Sequence, residues 1–292
     1  MRTPILLTAL LCFCFKVYSQ SNEEEKQKTQ AQAGVQFISN QTYAGRTDSL
    51  KLPVLIPEFN LNFPKGFFVN TKAYVNLSGG KTTFDGVSIE PGYALSKNNW
   101  NGSLSVIKNF ISDSSNLIIA PVNASIEFYL NKETKFITPY IGWEYVFSSE
   151  GNDFIAYGGV SRLISFTKED KKVSVQEEPA ISLTAGSQNF YYSFLKSFSS
   201  NGNGASRSAG RGRGRGSSGG TGTTTVTQTV ETQSKNFSLL SYAVELPLTV
   251  SSSKIKWVTT PTLEVPVNVV SGSGAQKSAS LFYLTTEILF TF

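Results

Sequence analysis

Histidine is missing from all 292 residues. Without an imidazole, histidine acid–base catalysis, serine–histidine hydrolysis and ordinary histidine zinc sites are excluded. Cysteine is almost missing: Cys12 and Cys14 both fall in the opening segment. Removal of that segment would leave a mature chain with no disulfide, thiol nucleophile or cysteine metal site. On those two absences the protein is expected not to be an enzyme and to need no cofactor or metal. Beyond the opening segment no apolar run approaches the roughly 20 residues of a membrane helix, and mean hydropathy is −0.11. That profile excludes a helical membrane protein. It does not exclude spanning strands, which show only alternate residues to lipid.

Charge of one sign is also scarce once the total is divided. Of the net +5, Arg2 and Lys16 supply two charges and Arg207, Arg211, Arg213 and Arg215 supply four. The remainder is close to neutral, so no polyanion-binding domain is implied and no nucleic acid is expected as a partner. At the start, Arg2 precedes an apolar run from Ile5 to Phe15 and then Val17-Tyr18-Ser19. This order reads as a secretory signal over residues 1–19, cleaved near Ser19/Gln20. Leu11 and Phe13 precede the two cysteines, which argues against a lipoprotein. Residues 20–32, with Glu23-Glu24-Glu25, read as a charged periplasmic lead.

From residue 33 to 292 the chain alternates. Phe67, Val69, Thr71, Ala73, Val75 and Leu77 oppose Asn70, Lys72, Tyr74 and Asn76. Ile118, Ala120, Val122, Ala124, Ile126, Phe128 and Leu130 oppose Asn123, Ser125, Glu127 and Tyr129. Period two is the mark of strands with two unlike faces. About twelve are expected, within about two: 31–43, 51–63, 66–79, 83–97, 100–113, 116–131, 135–149, 153–167, 179–193, 236–250, 255–270 and 277–292. Even-numbered connections come out short and the one long connection, 197–235, is odd-numbered. That asymmetry suits a closed antiparallel transmembrane β-barrel with both chain ends in the periplasm. A soluble sandwich also alternates. It does not explain prolines on the apolar face at Pro139 and Pro261.

Within such a barrel Glu58, Glu90, Glu127, Glu144, Glu245, Glu264 and Glu287 are expected to face the lumen, with Lys72, Arg162 and Lys256 as their cations. A charge facing lipid at mid-bilayer costs roughly 2–4 kcal/mol. Lys108 breaks this rule and calls for a bulge or for snorkelling. The glutamates either interlock in a closed interior or line a cation-favouring pore. Trp100, Trp143, Trp257, Tyr93 and Tyr145 are expected to anchor the barrel at the interfaces. Gly79-Gly80-Lys81-Thr82 is no phosphate loop, because Val75 stands where the first glycine belongs. Residues 206–215 read SRSAGRGRGR. They are expected to form a flexible, solvated extracellular loop whose Arg207, Arg211, Arg213 and Arg215 can pair with surface phosphates.

The closing residues Phe282, Leu284, Thr286, Ile288, Phe290 and Phe292 fall on one face. Such a strand, ending on an aromatic, resembles the last strand of bacterial outer-membrane β-barrels. The resemblance implies that Ile288, Phe290 and Phe292 form the signal read by the barrel-assembly machinery. Thr42-Tyr43-Ala44-Gly45-Arg46, Pro57-Glu58-Phe59, Pro64-Lys65-Gly66-Phe67-Phe68 and the glutamine after the cleavage site look like Bacteroidota barrels without assigned activity. They imply outer-membrane lipids and lipopolysaccharide as surroundings. Histidine-dependent phospholipase-like or deacylase-like barrels are excluded. A small channel or structural barrel is expected, with a surface-binding mount for the Arg-Gly loop as its rival and a barrel enzyme third; oligomeric state is left open. Deleting Phe292, or making it Asp, should lower the yield of heat-modifiable folded protein in the outer membrane, measured by gel shift. Normal levels would remove the terminal signal.

Overall fold

The computed structural model describes residues 28–47, 52–78, 82–112, 114–149, 151–167, 172–189, 236–269 and 280–292. The signal segment 1–19, residues 20–27 of the lead, and the loop with Arg207, Arg211, Arg213 and Arg215 lie outside the described residues.

Twelve antiparallel strands follow one another around a ring. They are β1 (Gln30–Ile38), β2 (Val54–Asn62), β3 (Phe67–Asn76), β4 (Thr83–Lys97), β5 (Trp100–Ile111), β6 (Val122–Lys132), β7 (Thr138–Ser148), β8 (Asp153–Ser161, resumed at Ile164–Ser165), β9 (Ser174–Glu177, then Ala180–Gly186), β10 (Ser238–Glu245, then Leu248–Ser251), β11 (Ile255–Pro266) and β12 (Leu281–Thr291). Each pairs with its neighbours in the chain, and β12 returns to β1 with Gln32 opposite Thr291 and Ile38 opposite Thr285. The barrel is closed. The breaks in β8, β9 and β10 do not end those strands, because one register runs through them: Ser161 faces Ala180 as Ile164 faces Glu177. Ala180 likewise faces Glu245, as Glu177 faces Leu248. The breaks coincide with Pro179 and Pro247, which have no N–H to give. Neighbouring amides still bridge them, Glu178 N–H donating to the Pro247 carbonyl at 3.0 Å.

The period-two pattern sets the two faces. On β5, Leu104, Val106 and Phe110 are exposed while Ser105 is buried; on β12, Phe282, Ile288 and Phe290 are exposed while Leu281 and Leu289 are buried. Among the described residues no helix is long and apolar enough to cross a membrane. The apolar outer face belongs in lipid, which defines a transmembrane β-barrel of the outer-membrane type. Trp100 and Trp257 are exposed on that face. Phe67 and Tyr93 meet edge to face at 5.1 Å, and Trp143 stacks between Phe128 and Phe154.

Even-numbered connections define one rim, together with the start of β1 and the end of β12. Among them, Asn98 and Asn99 turn β4 tightly into β5 with φ of 54° and 64°, the mirror-image turn that suits twisted hairpins. Odd-numbered connections define the other rim. Three bulges sit near it, where Asp85 in β4, Asn123 in β6 and Leu240 in β10 are each the extra residue against the partner strand. Bulges at barrel rims re-aim side chains and backbone groups.

Three expectations need correction. The first strand does not reach residue 43: it stops at Ile38, and the chain turns into the lumen. The sixth begins at Val122 rather than 116, since Leu117 and Ile118 leave the wall and are fully buried inside. The Asn123 bulge then reverses the phase, so Val122 belongs to the interior while Ile126 and Phe128 lie on the opposite phase. Lys108 sits in an unshifted register opposite Ile89 and Ala124, without a bulge. Its ammonium lies 5.6 Å from the Phe110 ring, toward the odd rim, which is the snorkelling solution.

Interior glycines admit rings from the next strand. A methyl at Gly159 would come within 2.2 Å of the Ile181 carbonyl oxygen and 2.7 Å of the Tyr140 ring. Gly159→Ala should therefore destabilise the barrel by about 1–3 kcal/mol through overpacking, measured by urea unfolding in lipid. Unchanged stability would show that the strands can move apart there.

Candidate functional site: a plugged lumen with a polar vestibule

After Ile38 the chain enters the barrel. Thr42–Tyr43 and Arg46–Thr47 form a two-stranded hairpin. Its turn uses Ala44 and Gly45 at φ of 48° and 76°. Glycine is required at 45 twice over: φ is positive, and a Cβ would stand 2.6 Å from the Cβ of Ser241. The hairpin crosses the lumen from wall to wall. On one side the Tyr43 hydroxyl donates to Glu144 Oε2 on β7. On the other, Arg46 is only 1% exposed. Its Nε donates to Gln188 Oε1 at 2.8 Å, and its Nη1 to the Leu240 carbonyl at 3.1 Å. Nη2 donates to the carbonyls of Val267 and Asn268 at 2.9 and 3.2 Å. The Leu240 carbonyl, at the bulge in β10, also accepts from the Val267 amide at 2.7 Å, so it serves both the wall and the plug. Burial first, and then the Glu144 carboxylate, push the Tyr43 hydroxyl well above the ordinary phenol range, so it stays a donor.

The fifth connection fills the space beside the hairpin. The Ile118 amide donates to Gln41 Oε1 at 3.1 Å, and the Leu52 amide to Asn40 Oδ1 at 3.0 Å. Ile118, Val122, Val146 and Ile155 form one apolar cluster with Tyr43 and Ala44 against it. Val54, Ile56, Tyr74 and Leu117 form a second. The odd half of the lumen is therefore packed like a protein core. In the even half a cavity of about 400 Å3 lies among Tyr129, Tyr140, Tyr157, Ser182, Glu178 and Glu245.

Each of the seven glutamates named from the sequence lies on the strand phase opposite the lipid-exposed residues. Their partners are mainly hydroxyls and amides, where ion pairs were expected. Tyr157 donates to Glu127 at 3.0 Å, Asn70 Nδ2 to Glu90 at 3.2 Å, and Ser241 and Tyr283 to Glu264 at 2.7 and 3.3 Å. Glu127 stands directly opposite Glu144. Glu58 stands opposite Lys72 and has Glu287 beside it. Lys256 is opposite Leu289 and exposed toward the even rim. Arg162 departs from the expectation: it is exposed and lies with Ile137, Val160, Ile181 and Val244 on the outer face, one residue out of phase with the inward Ser161. Lys72, opposite Glu58 on the inward phase, is one cation in the lumen, and Arg46 is another. Arg46 went unrecognised because it sits in a segment without alternation, yet the run Asn40 to Arg46, polar around an Ala-Gly turn, carried the signal of a chain leaving the wall.

Ile288, Phe290 and Phe292 all point outward. Phe292 is 79% exposed, with its amide donating to the Ala31 carbonyl at 2.9 Å across the closing seam. The exclusion of enzymatic function on a cysteine-free chain does not stand: the chain carries two cysteines, Cys12 and Cys14, both outside the described residues.

These features define a closed transmembrane β-barrel with an internal plug. No family model matches the chain, and no curated protein matches it. Among solved structures it is similar to the NanC porin, at 10% identity over 90% of this chain and 98% of that one, with a TM-score of 0.45. It is also similar to LpxR from Salmonella typhimurium, at 8% identity over 89% and 100% with a TM-score of 0.46. A third is a bacterial polysaccharide outer membrane secretin, at 7% identity over 92% and 100% with a TM-score of 0.40.

Arg46→Ala should destabilise the folded barrel by roughly 1–3 kcal/mol, because buried acceptors lose their donors, and should speed amide exchange at Tyr43 and Ala44. Arg46→Lys should restore little, since one ammonium cannot span the same fork of acceptors. Exchange unchanged in Arg46→Ala would mean the hairpin is held by its packing alone.

Proposed function

We propose that the protein is a small channel-type barrel of the outer membrane held shut by its own first connection. The observation that carries this is the Arg46 hairpin, fixed by one side chain to four acceptors across the lumen. A purely structural barrel needs only a filled interior, which apolar packing supplies more simply than a buried guanidinium. A plug tied through a single arginine can be released as a unit. Below it, Glu90, Glu127, Glu144 and Glu245 face inward, and such a row favours cations once water enters.

In this reading the odd rim faces outward and both chain ends lie in the periplasm. Cleavage falls near Ser19/Gln20. Ile288, Phe290 and Phe292 are presented to the assembly machinery, and the surroundings are outer-membrane lipid and lipopolysaccharide. The test is planar-bilayer recording. The parent should be nearly silent, while a folded variant with residues 40–51 replaced by a short glycine–serine linker should give cation-selective steps. Glutamine at 127, 144, 245 and 264 in that variant should shift selectivity toward anions. A folded but silent linker variant would make this a structural barrel.

A further inference from the structure

The geometry points to a binding site for a small organic cation, an alkylammonium compound, in the cavity of the even half. The volume of about 400 Å3 suits a small ligand. Two walls are aromatic: the rings of Tyr129 and Tyr140 lie 6.1 Å apart at a tilt of 36°, and Tyr157 adds a third. The Tyr157 hydroxyl is engaged by Glu127, and that of Tyr129 accepts from Asn131 Nδ2 at 3.1 Å. Both hydroxyls are thereby held, which fixes two of the rings that line the cavity.

The charge is one-sided. Glu178 and Glu245 both line the space, and among the described residues no lysine or arginine does. Glu178 accepts one hydrogen bond, from Ser161 at 2.7 Å. Glu245 has the carboxylate of Glu264 as its charged neighbour and no hydrogen-bond donor among the described side chains. Half-buried carboxylates without a counter-charge attract a cation strongly, and tyrosine faces attract an ammonium whose methyl or methylene groups fill the same space. A neutral polyol would leave both carboxylates uncompensated, and an anion would be repelled.

The adjacent backbone explains why the space exists. Pro179 and Pro247 interrupt the amide ladder on neighbouring strands at this level. Ala180, Ser182 and Thr184 then present only short side chains from β9. The wall is hollow there, whereas the strands that follow on around the wall, β8, β7 and β6, carry the three tyrosines.

The site does not depend on whether the barrel conducts, so it is tested on the closed protein. The full chain, folded in detergent, is titrated calorimetrically with choline chloride at constant ionic strength, and separately with methyl glucoside. Saturable one-to-one choline binding is expected, weakened at least tenfold by Glu245→Gln and by Tyr129→Leu. Glu133→Gln, which removes an exposed carboxylate bonded to Asn101 near the even rim, should leave it unchanged. Heat-modifiability verifies folding of each variant; if Glu245→Gln fails to fold, Tyr129→Leu decides. Absence of saturable choline binding overturns the proposal. So does equal weakening by Glu133→Gln, which would mark a diffuse field, or methyl glucoside binding in choline's place.

Discussion

Every backbone amide at the level of the lipid has to find its partner inside the protein, and this constraint organises the whole molecule. A flat sheet of eleven strands and one more would still expose two edges to hydrocarbon. Closure of β12 on β1, down to the Phe292 amide on the Ala31 carbonyl, removes them. The tolerated prolines obey the same rule. Pro179 and Pro247 forfeit their own donors, and the amides beside them carry the ladder past the gap.

A barrel of this size has more interior than its own side chains fill, and the two halves solve that differently. Toward the odd rim, the first and fifth connections turn inward and build a core from Leu117, Ile118, Val54 and Val146. Toward the even rim, the inward residues are glutamates, tyrosines and serines, and a cavity is left. The boundary runs through Tyr43, whose hydroxyl ties the plug to Glu144. Burying a guanidinium is costly unless its donors are met. Arg46 meets them with backbone carbonyls at the strand ends and one amide side chain, so the plug and the rim geometry are mutually dependent.

The interior is also less ionic than its composition suggests. Glu127, Glu144 and Glu264 are held by Tyr157, Tyr43, Ser241 and Tyr283. Hydroxyl donors need no second charge to be desolvated, which lets carboxylates crowd as closely as Glu127 and Glu144 without a cation for each. Among the described side chains Glu245 has no such donor.

Alternation, together with the short even-numbered connections and the closing aromatic strand, pointed to a closed barrel of about twelve strands, because in a sheet the face of a residue follows from its parity and a charge on the lipid side is costly. It determined the outward run of Ile288, Phe290 and Phe292 for the same reason. It failed wherever parity was interrupted or the chain left the wall. Val122 changed face through one extra residue at Asn123, and Arg46 belonged to no strand of the wall, whereas Arg162 keeps the outward parity of Val160, so parity itself speaks against the place in the lumen expected for it. Contacts across the lumen join residues far apart in the chain, such as Arg46 with Gln188 and Val267. No local pattern encodes such a meeting; it exists only once the ring has closed and brought the far strands within reach.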